Sequence, residues 1–150
     1  MKLRIPPVVQ TILFGTLSWL TAKNFPVADI SYPVLKYLAI GLFLFGTAIL
    51  LQAVLTFARQ NTTVNPLEPE KADKLVLSGL YRYTRNPMYL GLAAILFALA
   101  FVLQNVAALA GPILFLITMT VLQIKPEERA LSEKFGQQYI EYRQRVRRWL

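Results

Sequence analysis

Met88 to Ile124 is an unbroken run of 37 residues without a charged side chain. As one helix it would extend about 55 Å, against a bilayer hydrocarbon core of about 30 Å. The run is too long for a single crossing and too apolar for the surface of a soluble domain. It reads as a hairpin of two membrane spans, about 88–104 and 106–124, turning at Gln104-Asn105. Gly111-Pro112 is then a kink, or a second place for the turn.

Two further apolar runs precede it. Ile5 to Ala22 has 18 residues and Val34 to Ala58 has 25, with Lys36 near its start. Both meet the roughly 17–25 residues needed to cross a bilayer. Leu20 stands where a small residue is wanted before a cut after Ala22, so the first run reads as a retained span and not a cleaved signal peptide. Composition agrees: 55% of residues are hydrophobic, mean hydropathy is +0.46, and only 16% are charged. A chain of this length cannot hide so much apolar surface in one core, so lipid is the expected solvent.

The net charge is +8, from 16 basic and 8 acidic residues. The bases flank apolar runs instead of coating a soluble domain, which points to an anionic membrane surface and not to nucleic acid. Arg59, Lys71, Lys74, Arg82 and Arg85 fall in the middle loop. Lys125, Arg129, Lys134, Arg143, Arg145, Arg147 and Arg148 fall in the tail. The first loop holds Lys23, with Lys36 at its edge, and the Gln104-Asn105 turn holds no base. Both termini and the middle loop are therefore expected in the cytoplasm, a parity that four spans satisfy. The expected fold is all-α and multi-pass. It is one membrane-embedded domain over 1–150, with a loop over 59–87 and a tail over 125–150. The small chain looks bacterial, which places it in the cytoplasmic membrane.

There are no cysteines and no histidines. Disulfides, thiolate metal sites, the usual serine triad and the commonest general base are excluded, and no metal centre is expected. Chemistry must use carboxylates, Arg, Lys, Tyr, Asn, hydroxyls or a bound cofactor.

Candidate residues fall in two segments on the same expected side. The first comprises Asn61-Thr62-Thr63-Val64-Asn65-Pro66 and the stretch from Leu77 to Gly91. Pro87 suits the first turn of a helix and pushes Asn86 toward extended geometry. The third span thus opens at Met88, with its positive dipole end beside Arg85 and Asn86, a setting that suits an anion. Gly79 and Gly91 permit close backbone approach. Tyr81, Tyr83 and Tyr89 also read as interfacial belt residues, and Arg82 and Arg85 as basic anchors. The second segment is the tail, read as a helix from Pro126 with Glu127 and Glu128 in its first turn. Leu131, Phe135, Tyr139, Tyr142, Val146 and Trp149 form one apolar face, expected to lie on or against the membrane surface, with Gly136 as a break. Lys36 is expected to snorkel to the outer interface, and Gln52 to make a buried interhelical hydrogen bond or to line a cavity.

Leu77-Ser78-Gly79-Leu80-Tyr81-Arg82, followed by Arg85-Asn86-Pro87-Met88-Tyr89-Leu90-Gly91, resembles the signature of the isoprenylcysteine carboxyl methyltransferase family. Phospholipid N-methyltransferases share a related pattern. Glu127-Glu128, with Phe135-Gly136, Tyr139, Tyr142, Val146 and Arg148-Trp149, resembles that family's C-terminal signature, and Thr62-Thr63-Val64-Asn65-Pro66 resembles the loop before the first motif. The resemblance covers about Thr62 to Leu150. One departure stands out: Asn86 replaces the family's histidine, and an amide cannot carry a proton.

The resemblance implies a membrane enzyme that binds S-adenosylmethionine at the cytoplasmic face and takes a lipophilic substrate from the bilayer. It implies Arg85 and Glu128 as catalytic. It further implies a cofactor site of Gly79, Tyr81, Arg82, Arg85, Asn86, Pro87, Tyr89, Gly91, Glu127 and Glu128. Arg85 and the start of the third span suit the cofactor's carboxylate, and the two glutamates suit its ammonium and ribose. Tyr81 or Tyr89 suits the sulfonium. With no histidine to deprotonate an amine, an anionic acceptor such as a carboxylate is favoured. Two other readings stand beside this one. Membrane sterol and lipid reductases are distantly similar in their C-terminal helices and use NADPH, whose added phosphate asks for a larger basic pocket. A non-catalytic membrane scaffold would bind neither cofactor.

Overall fold

A computed structural model describes residues 5–26, 32–59 and 75–150. Lys71, Lys74 and the expected loop motif Asn61–Pro66 lie outside the described residues. All regular structure among the described residues is helical. Helix α1 spans Pro7–Asn24, α2 Pro33–Arg59, α3 Pro87–Leu103, α4 Ala110–Thr118, α5 Lys125–Phe135 and α6 Gln137–Arg145. Short 3₁₀ turns at Gly79–Arg82 and Val106–Leu109 precede α3 and α4. Proline opens α1 and α3, where a missing N–H costs no hydrogen bond.

Two helical stretches are long and apolar enough to cross a membrane, Pro33–Thr56 and Val106–Phe135; Pro87–Leu103 is a shorter apolar helix. Helix α3 is central, with α2 packed along it and α1 lying against α3 and α4. Its alanines at 93, 94, 98 and 100 are buried, and Tyr89, Ala93, Leu96, Phe115 and Met119 form the main core. The outer faces are apolar and exposed, as at Trp19, Phe43, Leu44 and Phe45. Apolar surface of that extent is untenable in water and ordinary in lipid.

Small residues set the helix crossings. A Cβ on Gly91 would lie 2.7 Å from the Gly46 carbonyl oxygen, and one on Gly46 would lie 2.7 Å from the Gly91 carbonyl oxygen. At the other crossing a Cβ on Gly111 would lie 2.4 Å from the Phe14 carbonyl oxygen, beside Ser18. Gly91 therefore serves α2–α3 packing.

The hairpin turns at Gln104-Asn105, the place expected from its polarity within the run. Gln104 takes the left-handed conformation at φ 50°. Asn105 accepts from the Ala107 N–H at 2.8 Å and donates to the Phe25 carbonyl at 2.9 Å, tying the turn to the end of α1. Gly111 and Pro112 lie buried within α4 and make no second turn. At the opposite end, a Cβ on Gly79 would lie 3.1 Å from Thr56 Oγ1, so the end of α2 sits beside the segment leading into α3.

Two expectations about the tail change. There is no break at residue 124: a π-helical turn, Met119–Ile124, carries α4 directly into α5. The break comes at Gly136, at φ 51°. The apolar face also does not lie open to the membrane surface. Tyr139, Tyr142 and Val146 are buried against Leu75, Leu77, Leu131 and Phe135, and Trp149 packs on the main core. The tail folds back onto the segment before α3 because that segment supplies leucines at matching places. Gln52 is exposed and makes no interhelical bond among the described residues; it lines an open groove.

Candidate active site

The two candidate segments meet. Gly136 turns the chain back, and beyond α6 the extended residues Val146–Trp149 run beside Thr84–Asn86. The Arg85 N–H donates to the Arg147 carbonyl at 3.0 Å, and Thr84 and Arg147 form a parallel bridge. The Arg148 carbonyl accepts from Asn86 Nδ2 at 2.9 Å and Thr84 Oγ1 at 3.3 Å. Trp149 Nε1 donates to Thr120 Oγ1 at 3.3 Å. The last residues of the chain are thereby laced to the entrance of α3.

Glu128 is at the centre. It is buried, and its Oε1 accepts from Arg85 Nη2 at 2.7 Å and Arg148 Nε at 3.0 Å. Its Oε2 accepts from Arg148 Nη2 at 2.7 Å. Burial pushes the Glu128 carboxyl up, but the hydrogen bonds from Arg148 and Arg85, with their charges, outweigh it and hold the group below the usual carboxylate range. The bond to Glu128 in turn raises the Arg148 guanidinium. Arg85 Nη1 donates to the Arg143 carbonyl at 3.1 Å and the Val146 carbonyl at 2.5 Å. Its Nε is buried without a partner. Arg85 and Glu128, both expected at a cofactor site, are ion-paired to each other at 2.7 Å. Two guanidiniums on one carboxylate leave a local charge of +1.

Glu127, half-buried on the same turn, has a different environment. Its Oε1 accepts from the Tyr89 hydroxyl at 2.7 Å and from Gln123 Nε2. Gln123 is supplied by the π turn and Tyr89 by the first turn of α3. The adjacent acids thus have different partners among the described residues: Glu128 accepts from two guanidiniums, and Glu127 from a phenol and an amide.

The other expected residues are distributed around this cluster. Pro87 is buried at the start of α3, and no side chain caps that helix. Asn86 directs its amide to the Arg148 carbonyl. Tyr81 is buried with Ala53 and Val76, its carbonyl accepts from the Tyr142 hydroxyl at 2.7 Å, and burial raises its phenol well above the ordinary value. Tyr139, beneath the cluster, is pushed up to about 12 by burial. Arg82 is exposed and makes no ion pair among the described residues. Gly79, at φ 62°, lines the groove beside α2 and not the carboxylate cluster.

Arg148 and Gln123 escaped the sequence reading as site residues. Gln123 carried a usable signal, lying four residues before Glu127 on one helix face. Arg148 carried none beyond its motif, because the return of the chain at Gly136 decides what it meets.

The phospholipid methyltransferase family matches residues 34–138, the stretch that contains Arg85, Glu127 and Glu128. A probable protein-S-isoprenylcysteine O-methyltransferase of Oryza sativa subsp. indica is 31% identical over 139 residues, covering 92% of this chain and 72% of that one. The protein-S-isoprenylcysteine O-methyltransferase of Xenopus laevis is 30% identical over 144 residues; the match takes in 92% of this chain and 49% of the frog enzyme. An uncharacterized protein of Haemophilus influenzae is 46% identical over 63 residues, all of its length and 42% of this chain. No solved structure matches the chain significantly. With helices long and apolar enough to cross a membrane, and matched over most of its length to such enzymes, the chain belongs to the phospholipid methyltransferase family and is a membrane methyltransferase.

Proposed function

We propose that the protein transfers a methyl group from S-adenosylmethionine to a lipophilic acceptor that carries a carboxylate and is excluded from water at the moment of transfer. The observation that carries this reading is the lacing of Thr84–Asn86 to Val146–Trp149 around Glu128, which gathers both motif segments at one end of α3. The donor set fits the cofactor. The Arg85–Glu128–Arg148 cluster keeps an excess positive charge and a buried, unpartnered Arg85 Nε, which suit its carboxylate. Glu127, oriented by Tyr89 and Gln123, suits its ammonium or ribose hydroxyls. Glu128 and Arg148 then act as positioning residues for Arg85, and the tyrosine faces suit the sulfonium.

S-Adenosylmethionine, when bound, supplies an electrophilic methyl group that needs alignment and a dry site more than it needs acid–base help. An ionised carboxylate acceptor needs no base, in keeping with a chain that has no histidine. In this reading α1, α2, α3 and the run from Val106 to Ile124 are four spans, with both termini, the loop over 59–87 and the site at the cytoplasmic face. The alternation of helix ends supports it: the Gln104-Asn105 turn meets the end of α1, and Gly79 meets the end of α2.

The test is transfer of labelled methyl from S-adenosylmethionine into a membrane lipid extract by the purified protein. Label released by mild base as methanol is expected, the mark of a methyl ester. Base-stable label would move the acceptor to an amine, and no transfer to any extract would count against the activity.

A further inference from the structure

An open groove of about 510 Å³ runs between α2 and the Ser78-Gly79 turn. Its wall on α2 changes character along the helix. Ala48, Leu51 and Leu55 are apolar, Gln52 and Thr56 follow one turn apart on the same face, and Arg59 closes the cytoplasmic end of the reading above. From Ala48 to Arg59 the wall is about 16 Å long.

Two polar groups there are unused. The Gln52 amide is exposed on a predominantly apolar helix, and it makes no hydrogen bond among the described residues; Arg59 has no ion pair among them either. A glutamine amide facing hydrocarbon without a partner is costly, and an interfacial arginine without one invites an anion. Thr56 Oγ1 is already bonded to the Gln52 carbonyl at 2.8 Å, so it adds polarity without competing for the amide. Among the described residues no carboxylate lines the groove. Gly79 keeps it open: at φ 62° it disfavours any side chain, and a Cβ there would stand 3.1 Å from Thr56 Oγ1.

We propose that this groove holds one anionic glycerophospholipid of the surrounding bilayer, its phosphate at Arg59, an ester carbonyl at the Gln52 amide and an acyl chain along Leu51 and Leu55. A charge at one end, a hydrogen-bond donor in the middle and an apolar slot at the other end repeat the polarity of such a lipid. A soluble anion would use only the first.

The test is native mass spectrometry of the full chain, released from detergent after equilibration with equal amounts of phosphatidylglycerol and phosphatidylcholine. One retained phosphatidylglycerol is expected. Arg59→Gln should lower its retention about fivefold, the ~1 kcal/mol that one basic residue supplies at an anionic surface. Gln52→Leu should lower it as well. Lys36→Gln, at the other end of the same helix, should leave it unchanged; because Arg59 and Lys36 are both exposed near helix ends, neither change threatens folding. Equal retention by Arg59→Gln and the unaltered chain would overturn the proposal. So would equal binding of the two lipids, or displacement of phosphatidylglycerol by glycerol 3-phosphate, which would make the groove a soluble-anion site.

Discussion

Arg148 grips Glu128 with two hydrogen bonds, Nε to Oε1 at 3.0 Å and Nη2 to Oε2 at 2.7 Å, and so fastens the end of the chain to α5. Arg85 completes the cluster from the entrance of α3 and is nearly as buried as Glu128, while Arg148 is about a third exposed. The two deletions should therefore differ. Glu128→Ala strands a buried guanidinium and should cost about 3–5 kcal/mol. Arg148→Ala leaves the Arg85–Glu128 pair in place and should cost about 1.5–3 kcal/mol. Equilibrium unfolding in mixed detergent measures both, and equal losses would contradict the geometry.

The same carboxylate predicts a pH dependence. Its folded-state value is held below the ordinary 4.5 by Arg148 and Arg85 against the opposing effect of burial. The resulting stability is present above the unfolded value and is lost as pH falls from about that value through the depressed one. Thermal scans should show a steeper decline below pH 4.5 in the unaltered chain than in Glu128→Gln, which has no carboxyl to protonate. Parallel profiles would show that the cluster does not form.

The α2–α3 crossing should tolerate no added atom. Gly46→Ala and Gly91→Ala each place a Cβ 2.7 Å from a carbonyl oxygen of the opposite helix, so backbone must move. Each should destabilise by about 1–3 kcal/mol, whereas Gly41→Ala, with open space around its Cβ, should be neutral or mildly stabilising. Unfolding midpoints separate these outcomes.

Asn86→His should preserve the fold, because a ring N–H can replace the amide that donates to the Arg148 carbonyl. Asn86→Leu removes the donor and should cost about 1 kcal/mol, with Thr84 still serving that carbonyl. A histidine variant less stable than the leucine variant would show that the pocket does not admit a ring.

Much of the architecture was legible from local rules. The charge-free run exceeds one bilayer thickness, so a turn was required, and Gln104-Asn105 was its most polar place. The period of Leu131, Phe135, Tyr139, Tyr142 and Val146 marked one face, and Gly136 marked a break. What covers that face was not legible, because periodicity says that a surface is buried without saying against what. The π turn at Met119–Ile124 has no sequence mark in a run of uniformly apolar residues. Gly91 was ambiguous for a related reason: close approach by a ligand and close approach by a helix both ask for glycine.

The site divides along the same line. The motifs identified Arg85, Asn86, Glu127 and Glu128 as neighbours of one place. Residue type alone matched Arg85 and Glu128 equally well to a ligand or to each other, and only the fold brings them to 2.7 Å. Arg148 became visible once the chain returned past Gly136.

Calorimetric titration of the purified, detergent-solubilised protein with S-adenosylmethionine, with NADPH in a parallel cell, tests the central claim most directly. Saturable binding of S-adenosylmethionine and none of NADPH is the predicted result. Binding of NADPH alone, or of neither by a folded sample, would contradict it.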